Sequence, residues 1–280
     1  MKKSKIFRTI LLIAIPAIFF ILLSYLQSPL TAQTSSVHLT MGNPSNAGGS
    51  YSNRLLSKSQ YAVSYNCYRG TPNWVSWQLN NSWLGSAPRQ DDFRADTTIP
   101  SACYRVTSSD YTGSGFDRGH MTPSADRTNT VVNNSSTFLM TNIIPQAPDN
   151  NQGPWAALEN YSRDLVNQGK ELYIISGSYG TGGTGLNGTR TTIASGNVTV
   201  PARTWKVIVV LNRPNNGASS VNTNTRVIAV NMPNTQGIRN NNWKNYRVSV
   251  DSIEASTGYN LLSNVSSSIQ SVIEARVDTL

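Results

Sequence analysis

Two spacings of apolar residues divide this chain into expected elements. Tyr61-Ala-Val-Ser-Tyr65 and Trp74-Val-Ser-Trp-Gln-Leu79 are short runs rich in β-branched and aromatic residues. They flank a segment holding Gly70 and Pro72, so the pattern predicts a β-hairpin. Leu172–Ile175, Thr204–Leu211 and Arg226–Val230 are denser β-branched runs separated by turn residues, and they predict the central sheet. A further short strand is expected at Tyr104–Thr107. The 3.6-residue period is clearest from Pro154 to Gln168, where Trp155, Leu158, Leu165 and Val166 form one face. Proline stands in the first turn of that helix and Gly169 at its C-cap position. Other helices are expected over Tyr51–Ser59, within Asp126–Leu139, near Ser252–Ser256 and over Leu261–Arg276. Residues 33–48 and 89–100 are polar and read as loops, and residues 111–119 are glycine-rich. Strands and helices are mixed rather than alternating, with no internal repeat, which points to an α+β fold.

The first thirty-odd residues stand apart from that pattern. Lys2, Lys3, Lys5 and Arg8 precede an apolar run from Ile10 to Leu23, and small residues come next near Thr31-Ala32. Residues 1–32 therefore read as a signal peptide, with an uncleaved anchor as the alternative. Export places the mature chain in the periplasm or the medium, with no stable membrane association after cleavage. Residues 33–48 then form a polar N-terminal segment and residues 49–280 one domain. Removing the leader takes away four basic residues and lowers the net charge from +9 to +5. The chain has seven lysines and sixteen arginines. Arginine's planar fork matches phosphate oxygens, so the bias suits an anionic polymer, although simple solubility would give a similar charge. Cys67 and Cys103 are the only cysteines. In an exported chain they are candidates for one disulfide, with two buried thiols as the alternative.

Chemistry concentrates in Phe116-Asp117-Arg118-Gly119-His120 and in the residues downstream of it. His120 is one of only two histidines and sits among glycines and polar residues rather than on an apolar face. An imidazole can take a proton from water near neutral pH. The other histidine, His38, lies in the polar N-terminal segment and reads as inert. Asn151 lies just before the Pro154 helix, and its amide oxygen is a hard ligand suited to Mg²⁺ or Mn²⁺. Glu159 stands two helical turns further on and could hold water of such an ion, or simply pair with Arg163 four residues later. Arg94, Arg118, Arg127 and Arg163 surround these elements in sequence, and one or two could meet the charge of a pentacovalent phosphate. Asp117 is the obvious partner for Arg118. Gly180-Thr-Gly-Gly-Thr-Gly185 matches a dinucleotide-binding fingerprint literally, but no helix pattern comes after it, so a hairpin loop is the expectation.

These motifs also resemble a family. Asp117-Arg118-Gly119-His120, Pro123-Ser-Ala-Asp126, Thr141-Asn142-Ile-Ile-Pro-Gln146, Asn151 and Glu159 look like the DNA/RNA non-specific endonucleases with a ββα-metal active site, and within them the secreted, sugar-non-specific cyanobacterial type. Asn66, Pro72-Asn-Trp74, Asp92-Phe-Arg94-Ala-Asp96 and the tail from Val248 to Val277 extend the likeness over nearly all of residues 50–278. It implies a central antiparallel sheet flanked by helices. It also implies roles: His120 as general base, Asn151 as the direct protein ligand of Mg²⁺, and Glu159 orienting water of the ion's shell. Arg94 would meet the scissile phosphate, with Asp117, Arg118 and Arg163 in support. The activity implied is hydrolysis of single- and double-stranded DNA and RNA to 5′-phosphate ends, with a protein inhibitor among the candidate partners. Two rival readings are a secreted nucleic-acid-binding module with a degenerate site, and a phosphodiesterase for small esters. The complete set of His120, Asn151 and Glu159 argues against the first.

Overall fold

The structure, a computed structural model, describes residues 36–280. The expected leader lies outside the described residues. Strands β1 (Gly49–Ser50), β2 (Asn53–Ser57), β3 (Ala62–Asn66) and β4 (Thr71–Leu79) open the domain. After a long irregular stretch come β5 (Asp117–His120), helix α1 (Val131–Ser136), β6 (Ile143–Gln146) and helix α2 (Ala156–Asn167). Next are strand β7 (Lys170–Tyr179), the hairpin of β8 (Gly183–Gly185) and β9 (Gly188–Arg190), and the pair β10 (Thr192–Ile193) and β11 (Val198–Thr199). The chain ends with β12 (Arg203–Asn212), β13 (Arg226–Pro233), α3 (Val250–Thr257) and α4 (Ser267–Ile273).

Seven strands form one sheet in the order β1-β2-β3-β4-β7-β12-β13, and every neighbouring pair is antiparallel. Alternate side chains serve two cores. Val75, Trp77, Leu172, Ile174 and Ile208 pack with Trp155, Leu158, Leu165 and Val166 of the α2 region. Trp74, Tyr173, Ile175, Trp205, Val207 and Val209 pack on the other face with Val250, Ile253 and Ile273 of α3 and α4. Strands buried on both faces read as continuous apolar runs, which is why β7 and β12 stand out in the sequence. Each fully buried Val, Ile or Leu in these layers contributes about 1.5–3 kcal/mol. A third, smaller core of Val106, Tyr111, Phe116, Met140 and Ile143 lies beneath the glycine-rich segment.

Several elements differ from expectation. Residues 53–57 form strand β2, not a helix, because Leu55 and Leu56 pair across to Ser64 and Val63. Residues 104–107 find no strand partner among the described residues, and Val106 is buried from irregular backbone instead. Pro72 lies inside β4, and the turn is made by residues before it. The last helix is confined to Ser267–Ile273, with Leu261 and Leu262 buried in the turn before it. Residues 36–48 belong to the same compact unit as the rest. His38 and Met41 are each 2% exposed. Burial pushes the His38 ring down to about 4. The neutral ring accepts from the Gln78 N–H at Nδ1 (3.2 Å) and donates from Nε2 to the Ser59 carbonyl (2.9 Å), pinning this segment to β4. Cys67 and Cys103 are bridged, with Cα atoms 5.1 Å apart.

Candidate active site

An antiparallel strand pair and a helix hold the chemistry of the D-R-G-H motif. Strand β5 pairs antiparallel with β6, placing Asp117 opposite Gln146 and His120 opposite Ile143. The chain then turns through Pro148–Trp155 into α2, so the order is strand, strand, helix. Gly119 is required in this pairing, because a Cβ there would collide with the side chain of Gln146. Asn142 fixes the strand after the histidine: its Oδ1 accepts from the Thr122 N–H (2.9 Å), and its amide nitrogen donates to the Thr122 and Thr137 carbonyls. The helix expected from Pro154 begins at Ala156, because residues 151–155 form a wider turn. Gly153 makes that turn with φ −107° and ψ −115°, and a Cβ there would meet the Arg239 carbonyl oxygen at 2.5 Å. This wide turn presents Asn151 beside β5.

Asp117 holds Asn151 in a single orientation. Its Oδ2 accepts from the Asn151 amide nitrogen at 2.8 Å and from Gln152 Nε2 at 2.7 Å. With the amide nitrogen committed, Asn151 Oδ1 is the outward atom, and it accepts no hydrogen bond among the described residues. Asp117 is therefore the partner of Asn151 rather than of Arg118. The donor set is a neutral amide oxygen with the Asp117 carboxylate behind it and no thiolate. That suits a hard divalent cation that keeps much of its water. A recess of about 500 Å³ opens here, lined by Arg89, Asp91, Phe93, Tyr111, Phe116, Asp117, Arg118 and Asn151 among others.

His120 is 8% exposed and packs against Phe93, one of the residues lining that recess. Its ring packs on Phe93 (5.4 Å between centroids) and edge-on to Phe138 (4.9 Å). Nε2 is buried without a hydrogen-bond partner. Burial, and then the positive charge of Arg89, push the imidazole down to about 3, so it is neutral at physiological pH. Arg89 stacks over Phe138 at 4.9 Å and donates to Asp91 and Ser124. Arg118 lies over Phe93 at 4.7 Å. Arg94 is not among the residues that line the recess. Its guanidinium donates to the Asp92 carboxylate (2.7 Å) and the Ser135 carbonyl (3.0 Å).

On α2, Glu159 faces the sheet. Its carboxylate lies 3.5 Å from Nζ of Lys206, a residue of β12 that is 1% exposed and stacked 4.1 Å over Trp155. Burial pushes the Glu159 carboxyl up and the Lys206 ammonium down, and each charge restrains the other's shift. Arg163 does not pair with Glu159. It bonds Asp126 at 2.8 Å, and Asp126 in turn accepts from Trp77 Nε1. Arg127 is fully buried and donates to the carbonyls of Gln60, Gln78 and Asp126, so it is a structural arginine. Two residues of this region escape a reading of the sequence. Arg89 lies in a polar loop with no local signal. Lys206 does have one, a lone cation inside an apolar strand run.

The comparisons with known proteins agree with this geometry. A family model described as DNA/RNA non-specific endonuclease matches residues 13–268. A nuclease of Nostoc sp. is 54% identical over 255 residues, covering 89% of this chain and 90% of that protein. Human mitochondrial endonuclease G is 33% identical over 163 residues, covering 56% of this chain and 54% of that protein. A solved structure of the EndoG/EndoGI complex, concerned with the mechanism of EndoG inhibition, superposes with a TM-score of 0.68 at 25% identity. It covers 84% of this chain and 95% of the matched chain. The strand-strand-helix order around His120 and Asn151 is thus the ββα-metal nuclease arrangement, that of a metal-dependent class, and the chain belongs to the DNA/RNA non-specific endonuclease family.

Proposed function

We propose that this endonuclease is exported, requires Mg²⁺ (with Mn²⁺ able to substitute), and cuts single- and double-stranded DNA and RNA to 5′-phosphate ends. The observation that carries the reading is the Asp117–Asn151 hydrogen bond, which commits the amide nitrogen and leaves the hard oxygen of Asn151 available at the arginine-lined recess, on the turn after the strand that pairs with that of His120. His120 takes the proton of the attacking water. The water oxygen bonds to phosphorus, the P–O3′ bond breaks, and the phosphate stays on the 5′ side. Asn151 would hold the metal, and Glu159, 3.5 Å from Lys206, would orient water of its shell. When bound, the ion stabilises the charge on the leaving oxygen. Arg89 is the residue best placed to meet charge on the phosphate, ahead of Arg94, and Arg118 grips the strand beside it. Asp117 positions Asn151, while Arg163 braces α2 through Asp126. Arginines that hold backbone phosphates read no base edges, which fits a lack of sequence preference.

The basic, apolar leader sequence and the Cys67–Cys103 bridge both support export to an oxidising compartment. Among the described residues no helix is long and apolar enough to cross a membrane. By likeness to the EndoG/EndoGI complex, a protein inhibitor is a candidate partner. The test is digestion of supercoiled plasmid and of RNA with and without EDTA, by wild type and by His120→Ala. We expect abolition by EDTA, rescue by Mg²⁺ or Mn²⁺, and a loss of about 10²–10⁴-fold in the variant. Full activity in excess chelator, or a folded variant near wild-type rate, overturns the mechanism. Faster turnover of a small aryl phosphodiester than of plasmid would favour a small-ester enzyme.

A further inference from the structure

The face of the large sheet opposite α2 carries a second cluster of oxygen ligands. Asp251 and Glu254 lie one turn apart on α3, and Glu274 directly follows α4. One carboxylate oxygen from each lies within 4.8 Å of the other two. The Asp251 N–H donates to the Glu274 carbonyl (3.1 Å), which brings the end of α4 against the start of α3. No lysine or arginine forms an ion pair with any of the three among the described residues.

Glu274 is the unusual member. It is 4% exposed, and its Oε1 is buried with no hydrogen-bond partner. A buried carboxylate without a partner is costly, and two more carboxylates beside it raise that cost. Burial, and then Glu254 and Asp251, push its carboxyl up to about 7. A bound cation would satisfy the orphaned oxygen and offset all three charges at once. The ligand chemistry favours calcium: it takes six to eight oxygens in flexible geometry and accepts several carboxylates at once, whereas Mg²⁺ is usually held by one or two carboxylates. Asp251 is exposed and Glu254 half-buried, so water can complete six to eight ligands.

We propose that Asp251, Glu254 and Glu274 bind a calcium ion that clamps the end of α4 to α3. The clamp lies in the layer that holds Val250, Ile253 and Ile273, apart from the recess of Asn151. It acts on stability and not on the chemistry of cleavage. Just beyond it the chain is held again, where Asp278 receives a two-pronged contact from Arg226 at 2.7 and 2.9 Å.

The test is calorimetric titration of the chelator-treated, full-length mature protein with CaCl₂ at constant magnesium, alongside thermal unfolding. Wild type should bind one ion with a Kd of about 10⁻⁴–10⁻³ M, as calcium sites of extracellular modules do. Calcium at about 100 times Kd should raise Tm by about 5–10 °C. Glu254→Gln and Glu274→Gln should each weaken binding at least tenfold and abolish the Tm rise. Asp251→Asn, on the exposed edge, serves as the variant that cannot disturb the core, and it too should lose the rise. No calcium-dependent rise in wild type overturns the proposal, as does an undiminished rise in Asp251→Asn.

Discussion

His120 is a base whose basicity has been lowered by its surroundings. The ring packs against Phe93 and Phe138, and the positive charge that acts on it is the guanidinium of Arg89. The acid limb of kcat/KM should therefore lie well below pH 6.5, the ordinary histidine value. Replacing Arg89 with Met removes a positive charge that disfavours the imidazolium, so the limb should move to higher pH as turnover falls. A pH–rate profile that keeps its limb in Arg89→Met would show that burial alone sets the basicity. Lys206 and Glu159 make a second residue-scale test. Lys206→Met leaves the Glu159 carboxyl without its cation and should cost about 3–5 kcal/mol in urea unfolding. Glu159→Gln in the same chain should recover most of that loss, because no unpaired charge remains. Equal stability of the single and double variants would mean that the pair is not coupled. His120, Asn151 and Glu159 stand out as candidates in the sequence because they lie close together along the chain, in one strand pair and one helix. Arg89 does not, since only the tertiary fold brings its polar loop to the recess, and Lys206 shows as a lone cation in an apolar run while its partner on the helix does not show.

At the scale of elements, the sequence reports what local chemistry decides and loses what a distant partner decides. The helix before Gly169 carries its own proline, apolar face and glycine stop, so it is found to within two residues at its start. The missing turn is the wide one at Asn151–Trp155, whose geometry depends on Gly153 lying against the Arg239 backbone. Residues 53–57 look helical in isolation, and pairing with β3 makes them a strand. The long irregular stretch after β4 has no ladder to define it and carries Cys103, tied to Cys67 at the end of β3. The bridge closes a loop across 36 positions, for which the chain-entropy relation gives about 3–4 kcal/mol. Cys67→Ala with Cys103→Ala should lower unfolding free energy by about that amount while leaving the rate per folded molecule near wild type. A much smaller loss in denaturant titration would show that the core of Val106, Tyr111 and Phe116 already holds this stretch.

Across the whole molecule, binding must come from charge, because the recess offers arginines and aromatic faces rather than a pocket shaped to a base. The mature chain is expected to carry a net charge of +5 after the leader's four basic residues are removed from +9. A protein that replaces condensed counterions on a polyanion loses affinity linearly in log salt, with a slope near one per phosphate contact. Arg118, exposed and held over Phe93, is placed for such a contact. Arg118→Ala should raise KM on duplex DNA and reduce the salt slope by about one, with kcat nearly unchanged. Arg89→Ala should do the reverse, lowering kcat more than it raises KM, because a group that meets charge developing on phosphorus acts mainly on the chemical step. Arg94, engaged by Asp92 and Ser135, should then show a smaller effect than either. Steady-state kinetics of the three variants on DNA and RNA, across a series of salt concentrations, separate these roles. A fall in kcat confined to Arg94→Ala would return the transition-state contact to that residue and leave Arg89 as a group that sets the basicity of His120.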